Sequence, residues 1–306
     1  MNLDSKIAKE QELRTRVQTL ENMRFGWPVF TVGRILLALA LILIPMLFVQ
    51  IVLSEVFTLL GIDLTSIWIG LFGGLIGTLA IIGGYAAYVR WIEVRSLSEF
   101  DRQHAGREFI GGALIGAAMF TVAVGVVWLA GGYQITGMNP WMIIVPAITG
   151  ALFWATLEEL VYRGALLRIA ERRLGTWIAL GISSLAFAGF HVVATPNATL
   201  WTGVSVFIAG LWLGGAYLYT RRLWFPIALH AAWNFTQGAV FGIAVSGDEA
   251  GQGLLIGITS GPTWLTGGAY GLEGSVVVVG IVLLAAILVL QQARKQGQFL
   301  TAFKRA

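Results

Sequence analysis

Predominantly apolar stretches recur eight times along the chain, at about 35–53, 67–89, 109–130, 141–157, 177–193, 200–219, 223–245 and 271–290. Each approaches the roughly 20 residues a helix needs to cross a bilayer, and polar or turn-rich breaks separate them. The fold class predicted is therefore all-α, a polytopic membrane bundle of about eight transmembrane helices. The first stretch follows a polar lead of about 30 residues and is longer than the apolar core of a cleavable leader, so it is expected to stay as an anchor. Residues 4–24 carry Ile7, Leu13, Val17 and Leu20 among mixed charges and predict an amphipathic helix on the cytoplasmic surface. The expected organisation is a cytoplasmic segment 1–34, a transmembrane domain 35–292 and a basic cytoplasmic tail 293–306.

Composition agrees with lipid as the main solvent. Of the 306 residues 57% are apolar and only 12% charged, against about 25% charged in soluble chains. Gly (39) and Trp (12) are abundant, as in membrane helices and at bilayer interfaces. The net charge of +4 comes from no basic stripe interleaved with aromatics, so nucleic acid is not an expected partner. Cys is absent, which removes disulfides, thiolate nucleophiles and Cys-ligated metals. All 20 Lys and Arg fall in segments 1–34, 90–107, 163–173, 221–222 and 294–305. An eight-span path puts these on one side, which the positive-inside rule makes cytoplasmic, with both termini. Gly70/Gly74 and Gly73/Gly77 give overlapping GxxxG spacings, read as close packing within the bundle.

Ionisable groups inside spans each cost roughly 2.5–3.5 kcal/mol on insertion scales, so each needs a reason. Glu158, Glu159 and Arg163 sit on the fourth predicted helix, His191 on the fifth, and His230 with Asn234 on the seventh. Glu159 and Arg163 are four apart, with the acid N-terminal, and read as a structural ion pair. Glu158 lies about 100° round the helix and is free to face something else. His230 and Asn234 are also four apart and aim into one space. Residues 158 and 191 are equidistant from the Leu174–Gly175 junction, where a hairpin turn is expected. Glu158 and His191 can then meet across the hairpin, each about 24 Å from its tip, and His230 rises about 12 Å from Arg222. His104, the remaining histidine, lies in a charged loop.

A carboxylate beside an imidazole can hold and deprotonate water, and a second imidazole with an amide can donate to an oxyanion. Those are parts for amide hydrolysis. No Gly-x-Ser-x-Gly elbow points to a serine nucleophile. Glu158, His191 and His230 also make a His₂Glu set for a divalent metal such as zinc, although no HExxH motif supports it.

The motifs Glu158-Glu159-x-x-x-Arg163, Phe187-x-x-x-His191 and His230-x-x-x-Asn234 resemble the three-part signature of the CPBP family, the CAAX protease and bacteriocin-processing proteins, across roughly residues 140–240. The resemblance implies an eight-helix intramembrane endopeptidase, whose eukaryotic members remove the last three residues of prenylated CAAX proteins. It makes Glu158 the general base acting with His191 on water, His230 with Asn234 the oxyanion site, and Glu159 with Arg163 the support. It leaves open a metallo or a glutamate mechanism. The expected partners are membrane lipid and a membrane-associated peptide or protein, cut near the cytoplasmic side, in what is expected to be a bacterial plasma membrane. The alternative is a non-catalytic immunity or scaffold protein that uses the buried polar cluster for helix registry. A transporter is a third reading, but nothing polar continues a path to the far face.

Overall fold

Long apolar runs in this chain fold into helices because a helix alone satisfies every backbone group without water. The computed structural model describes residues 27–62, 67–248 and 251–302. The amphipathic helix expected at 4–24 lies outside them. The first three helices are α1 (Trp27–Leu59), α2 (Ile67–Ala87) and α3 (Ala105–Leu129). Next come α4 (Ile144–Glu159), a π-helical stretch (Leu160–Leu167), and α5 (Arg168–Leu174) in direct continuation. The hairpin partner α6 (Thr176–Ala194) follows, then α7 (Leu200–Thr220), α8 (Trp224–Phe235) and α9 (Val276–Lys295). Among the described residues, seven helical segments are long and apolar enough to cross a membrane. Large apolar side chains such as Leu47, Phe48, Ile51, Val193 and Leu200 point outward, as a lipid-facing surface requires. The chain is an integral, multi-pass, all-α membrane protein.

The run expected to span at 223–245 behaves differently. It forms the 12-residue α8, extended by five π-helical residues, Thr236–Val240, and is shorter than a full crossing. Six consecutive residues, Pro226 to Ala231, are buried, so α8 is enclosed by other helices rather than by lipid. Close approach makes this enclosure possible: a Cβ on Gly116 of α3 would lie 2.2 Å from the Leu229 carbonyl oxygen. The expected GxxxG packing is also present, since a Cβ on Gly74 of α2 would lie 2.8 Å from the Thr149 backbone of α4.

The fourth run continues beyond 157 to Leu174, and the chain then reverses at Gly175, whose φ of 75° favours glycine. The tail docks on this turn, with Thr176 N–H donating to the Leu300 carbonyl at 3.0 Å. A small antiparallel sheet joins β1 (Tyr133–Met138) to β2 (Leu255–Thr259), with a register shift between Ile135 and Gly137. It ties the α3–α4 connection to the long α8–α9 connection at one end of the bundle.

The other end holds the arginines. Glu93 accepts from Arg34 and from Arg95 at 2.7 Å, and forms an ion pair with Arg168 at 2.8 Å. Glu99 pairs with Arg95 at 2.7 Å and Arg168 at 3.3 Å. Arg221 reaches Glu171 at 2.6 Å, and Arg222 pairs with Glu108. Burial would raise the Glu93 carboxyl, but the Arg168 and Arg95 guanidiniums outweigh it and hold the group at about 2.

Candidate active site

The two adjacent glutamates end α4, and the helix widens into its π stretch directly after Glu159. Widening disturbs the regular backbone ladder, and side chains take up carbonyls within it. Ser183 Oγ donates to the Tyr162 carbonyl at 2.9 Å, while Tyr85 Oη and Arg168 Nε donate to the Gly164 carbonyl at 3.1 and 2.7 Å. Such π segments are frequent at functional sites.

Glu159 and Arg163 are fully buried and form the expected i, i+4 pair, Arg163 Nη1 to Glu159 Oε1 at 2.7 Å. Arg163 also donates to the Gly210 carbonyl at 3.1 Å, and its guanidinium lies 4.9 Å from the centre of the Phe187 ring. The same Glu159 oxygen stands 3.1 Å from His230 Nδ1. A carboxylate only accepts, so Nδ1 carries the hydrogen and Nε2 is turned to the cavity. There Nε2 stands 3.6 Å from Glu158 Oε2. His230 is thus held between the two adjacent glutamates, an arrangement the motif spacing alone does not specify.

His191 is oriented from its own helix. Its Nδ1 stands 2.9 Å from the Phe187 carbonyl, which again leaves Nε2 as the free ring nitrogen. The Phe187 ring packs edge-on against His191 at 4.5 Å between centroids and sits 6.3 Å from His230, keeping both imidazoles in place. Glu158, His191, His230 and Asn234 all line one cavity of about 510 Å³, as the depth argument requires. Glu159 and Arg163 support it from beneath. His104 is exposed, away from the site.

Among the described residues, no group of three His, Cys, Asp or Glu side chains is gathered closely enough to hold a metal ion. His230 keeps Nδ1 on Glu159, which leaves Nε2 facing Glu158.

The cavity also takes in residues that the motifs do not mark. Ser246, Asp248 and Glu273 line it from the α8–α9 connection. Glu273 accepts from Ser246 N–H at 2.6 Å, and its loop is anchored on α7, where Trp201 Nε1 donates to the Gly274 carbonyl at 2.7 Å. Burial pushes the Glu273 carboxyl up, while the Ser246 N–H and the nearby His191 pull it down. A lone acid in a glycine-rich loop has no helical spacing to expose its role, so sequence pattern misses it.

Fold and site together define a multi-pass membrane protein with an acid–imidazole cluster sunk in its helical core. Residues 139–236 match the family model described as type II CAAX prenyl endopeptidase, Rce1-like. That segment is similar to the family, in agreement with the CPBP resemblance, and it contains all seven motif residues discussed above. The match supports an intramembrane endopeptidase and a peptide or protein substrate at the membrane. No curated protein and no solved structure matches the chain at a significant level.

Proposed function

We propose that the protein is an intramembrane endopeptidase that hydrolyses a peptide bond of a membrane-associated polypeptide with a water molecule activated by Glu158. The observation carrying this reading is His230 held between Glu159 and Glu158 at the wall of a cavity that also contains His191 and Asn234. Glu158 and the free Nε2 of His191 position the water, and Glu158 takes its proton as the water attacks the carbonyl carbon. His230, doubly protonated between the two glutamates, keeps its Nδ1–H on Glu159 and donates its Nε2–H, with the Asn234 amide, to the carbonyl oxygen as charge develops there. The Glu158 proton then passes to the leaving amine. Arg163 balances the charge of Glu159 behind this wall.

The test compares membrane proteomes of cells carrying wild type and Glu158→Gln. Polypeptide termini that vanish in the variant while the protein still inserts are the expected result. Termini unchanged by Glu158→Gln would leave the immunity or scaffold reading. A strong chelator is expected to leave cleavage by the purified enzyme unchanged; a loss that zinc restores would return the metal reading.

A further inference from the structure

We infer that the cavity is loaded from the membrane face opposite the arginine-rich end, and that its substrate is a polypeptide segment exposed on that non-cytoplasmic side. The inference rests on the proteolytic reading above and deepens it by naming the side and the substrate class. It departs from the expectation of cleavage near the cytoplasmic side.

Three observations carry it. Toward the arginine-rich end the site has a closed floor. Leu160, Arg163 and Leu167 are at most 1% exposed, and Leu213 is 2% exposed. Beneath them lie the Tyr85 and Ser183 bonds to the π stretch and then the Glu93, Glu99 and Glu171 ion pairs. In the opposite direction the wall opens: the exposed lining residues are Trp154, Phe190, Ala194, Asp248, Gly251 and Gln252. His191 lies on the last turn of α6, which ends at Ala194, so the site is close to the loops of that end.

The second observation is the charge of the two ends. All 20 Lys and Arg fall in segments that an eight-crossing path gathers on one side. The described structure joins five of those arginines, Arg34, Arg95, Arg168, Arg221 and Arg222, into ion pairs at the end away from the cavity mouth. Cytoplasmic segments retain positive charge, so the mouth faces the other compartment.

The third is the charge of the cavity itself. Among the described residues its lining includes the carboxylates of Glu158, Asp248 and Glu273 and no Lys or Arg. A bond three residues from a free C-terminus would bring a carboxylate within about 10 Å of the reacting atoms, since extended chain advances about 3.3 Å per residue. That charge would enter a chamber in which the oxyanion donor His230 is already flanked by Glu158 and Glu159, with no described Lys or Arg on the wall to receive it. An internal bond in a neutral or basic segment suits the chamber better.

The chain has no cysteine, which makes the test direct. Gln252→Cys at the mouth and Arg102→Cys in the exposed loop at the arginine-rich end are each expressed as full chains. A membrane-impermeant maleimide is then applied to spheroplasts and to lysed membranes. The expected result is modification of Gln252→Cys in spheroplasts and of Arg102→Cys at least tenfold more after lysis. Modification of Gln252→Cys only after lysis would overturn the inference. The Glu158-dependent termini give a second readout. Cuts on the non-cytoplasmic side of a substrate's own span agree with the inference, and cuts on its cytoplasmic side overturn it. If no terminus depends on Glu158, the proteolytic reading fails, and the labelling still decides the orientation of the mouth.

Discussion

At the arginine-rich end, Glu93, Glu99 and Glu171 each meet one or more guanidiniums, and the docked tail closes the α5–α6 turn. At the opposite end a two-stranded sheet and a long glycine-rich connection surround a cavity whose walls, among the described residues, carry three carboxylates and no Lys or Arg. The Glu159–Arg163 pair lies between the two. Buried charges that are fully paired rigidify a structure and leave little chemistry available. Charges left facing a chamber are available to bind and move protons. The difference between the ends separates a clamp from a workplace, and it explains why two adjacent glutamates have different fates. Glu159 belongs to the clamp, being buried against Arg163 and His230, and Glu158 belongs to the chamber.

This contrast is broken most severely at Glu158. Glu158→Gln is expected to lower cleavage by about 10²–10⁴-fold, the range of general acid–base catalysis. Helical content by circular dichroism should stay unchanged, because the side chain faces the cavity. Arg163→Met attacks the clamp directly. It leaves the Glu159 carboxylate buried without its cation, which costs on the order of 3–5 kcal/mol, and thermal unfolding in detergent should show the loss along with reduced cleavage. Gly116→Val acts through packing, since its Cβ meets the Leu229 carbonyl next to His230. Overpacking of this kind costs about 1–3 kcal/mol, and cleavage should fall because α8 carries both His230 and Asn234.

Glu93→Gln is the mildest test and separates the ends by pH. The folded state holds the Glu93 carboxyl at about 2, below its ordinary value of 4.5. The stability it lends is therefore present above about 4.5 and is lost as pH falls toward 2. Wild type should lose thermal stability across that window more steeply than Glu93→Gln. Cleavage by the variant at neutral pH should match wild type, because the side chain is remote from the chamber.

Much of this was legible in the sequence because membranes penalise charge. Glu158, Glu159 and Arg163 are conspicuous in an apolar run, and the symmetry of residues 158 and 191 about the Leu174–Gly175 junction places them in one chamber. Gly175 makes that turn, and the GxxxG glycines of α2 pack on α4 as their spacing suggests. Other features escaped because they depend on tertiary surroundings. The short α8 has the composition of a span, and only its enclosure by neighbouring helices shows that it is an interior element. The π stretch has no signature in residue type. Asp248 and Glu273 reach the cavity through a connection whose path no periodicity encodes, and the pairing of β1 with β2 bridges more than a hundred residues between segments read as loops.

The central claim is that Glu158 is the group that activates water for peptide-bond hydrolysis. The most direct measurement is the turnover of an identified substrate by purified wild type and Glu158→Gln in proteoliposomes, with matched insertion and helical content. The account predicts cleavage by wild type and a loss of at least about 100-fold in the variant. Cleavage by Glu158→Gln at the wild-type rate would contradict it.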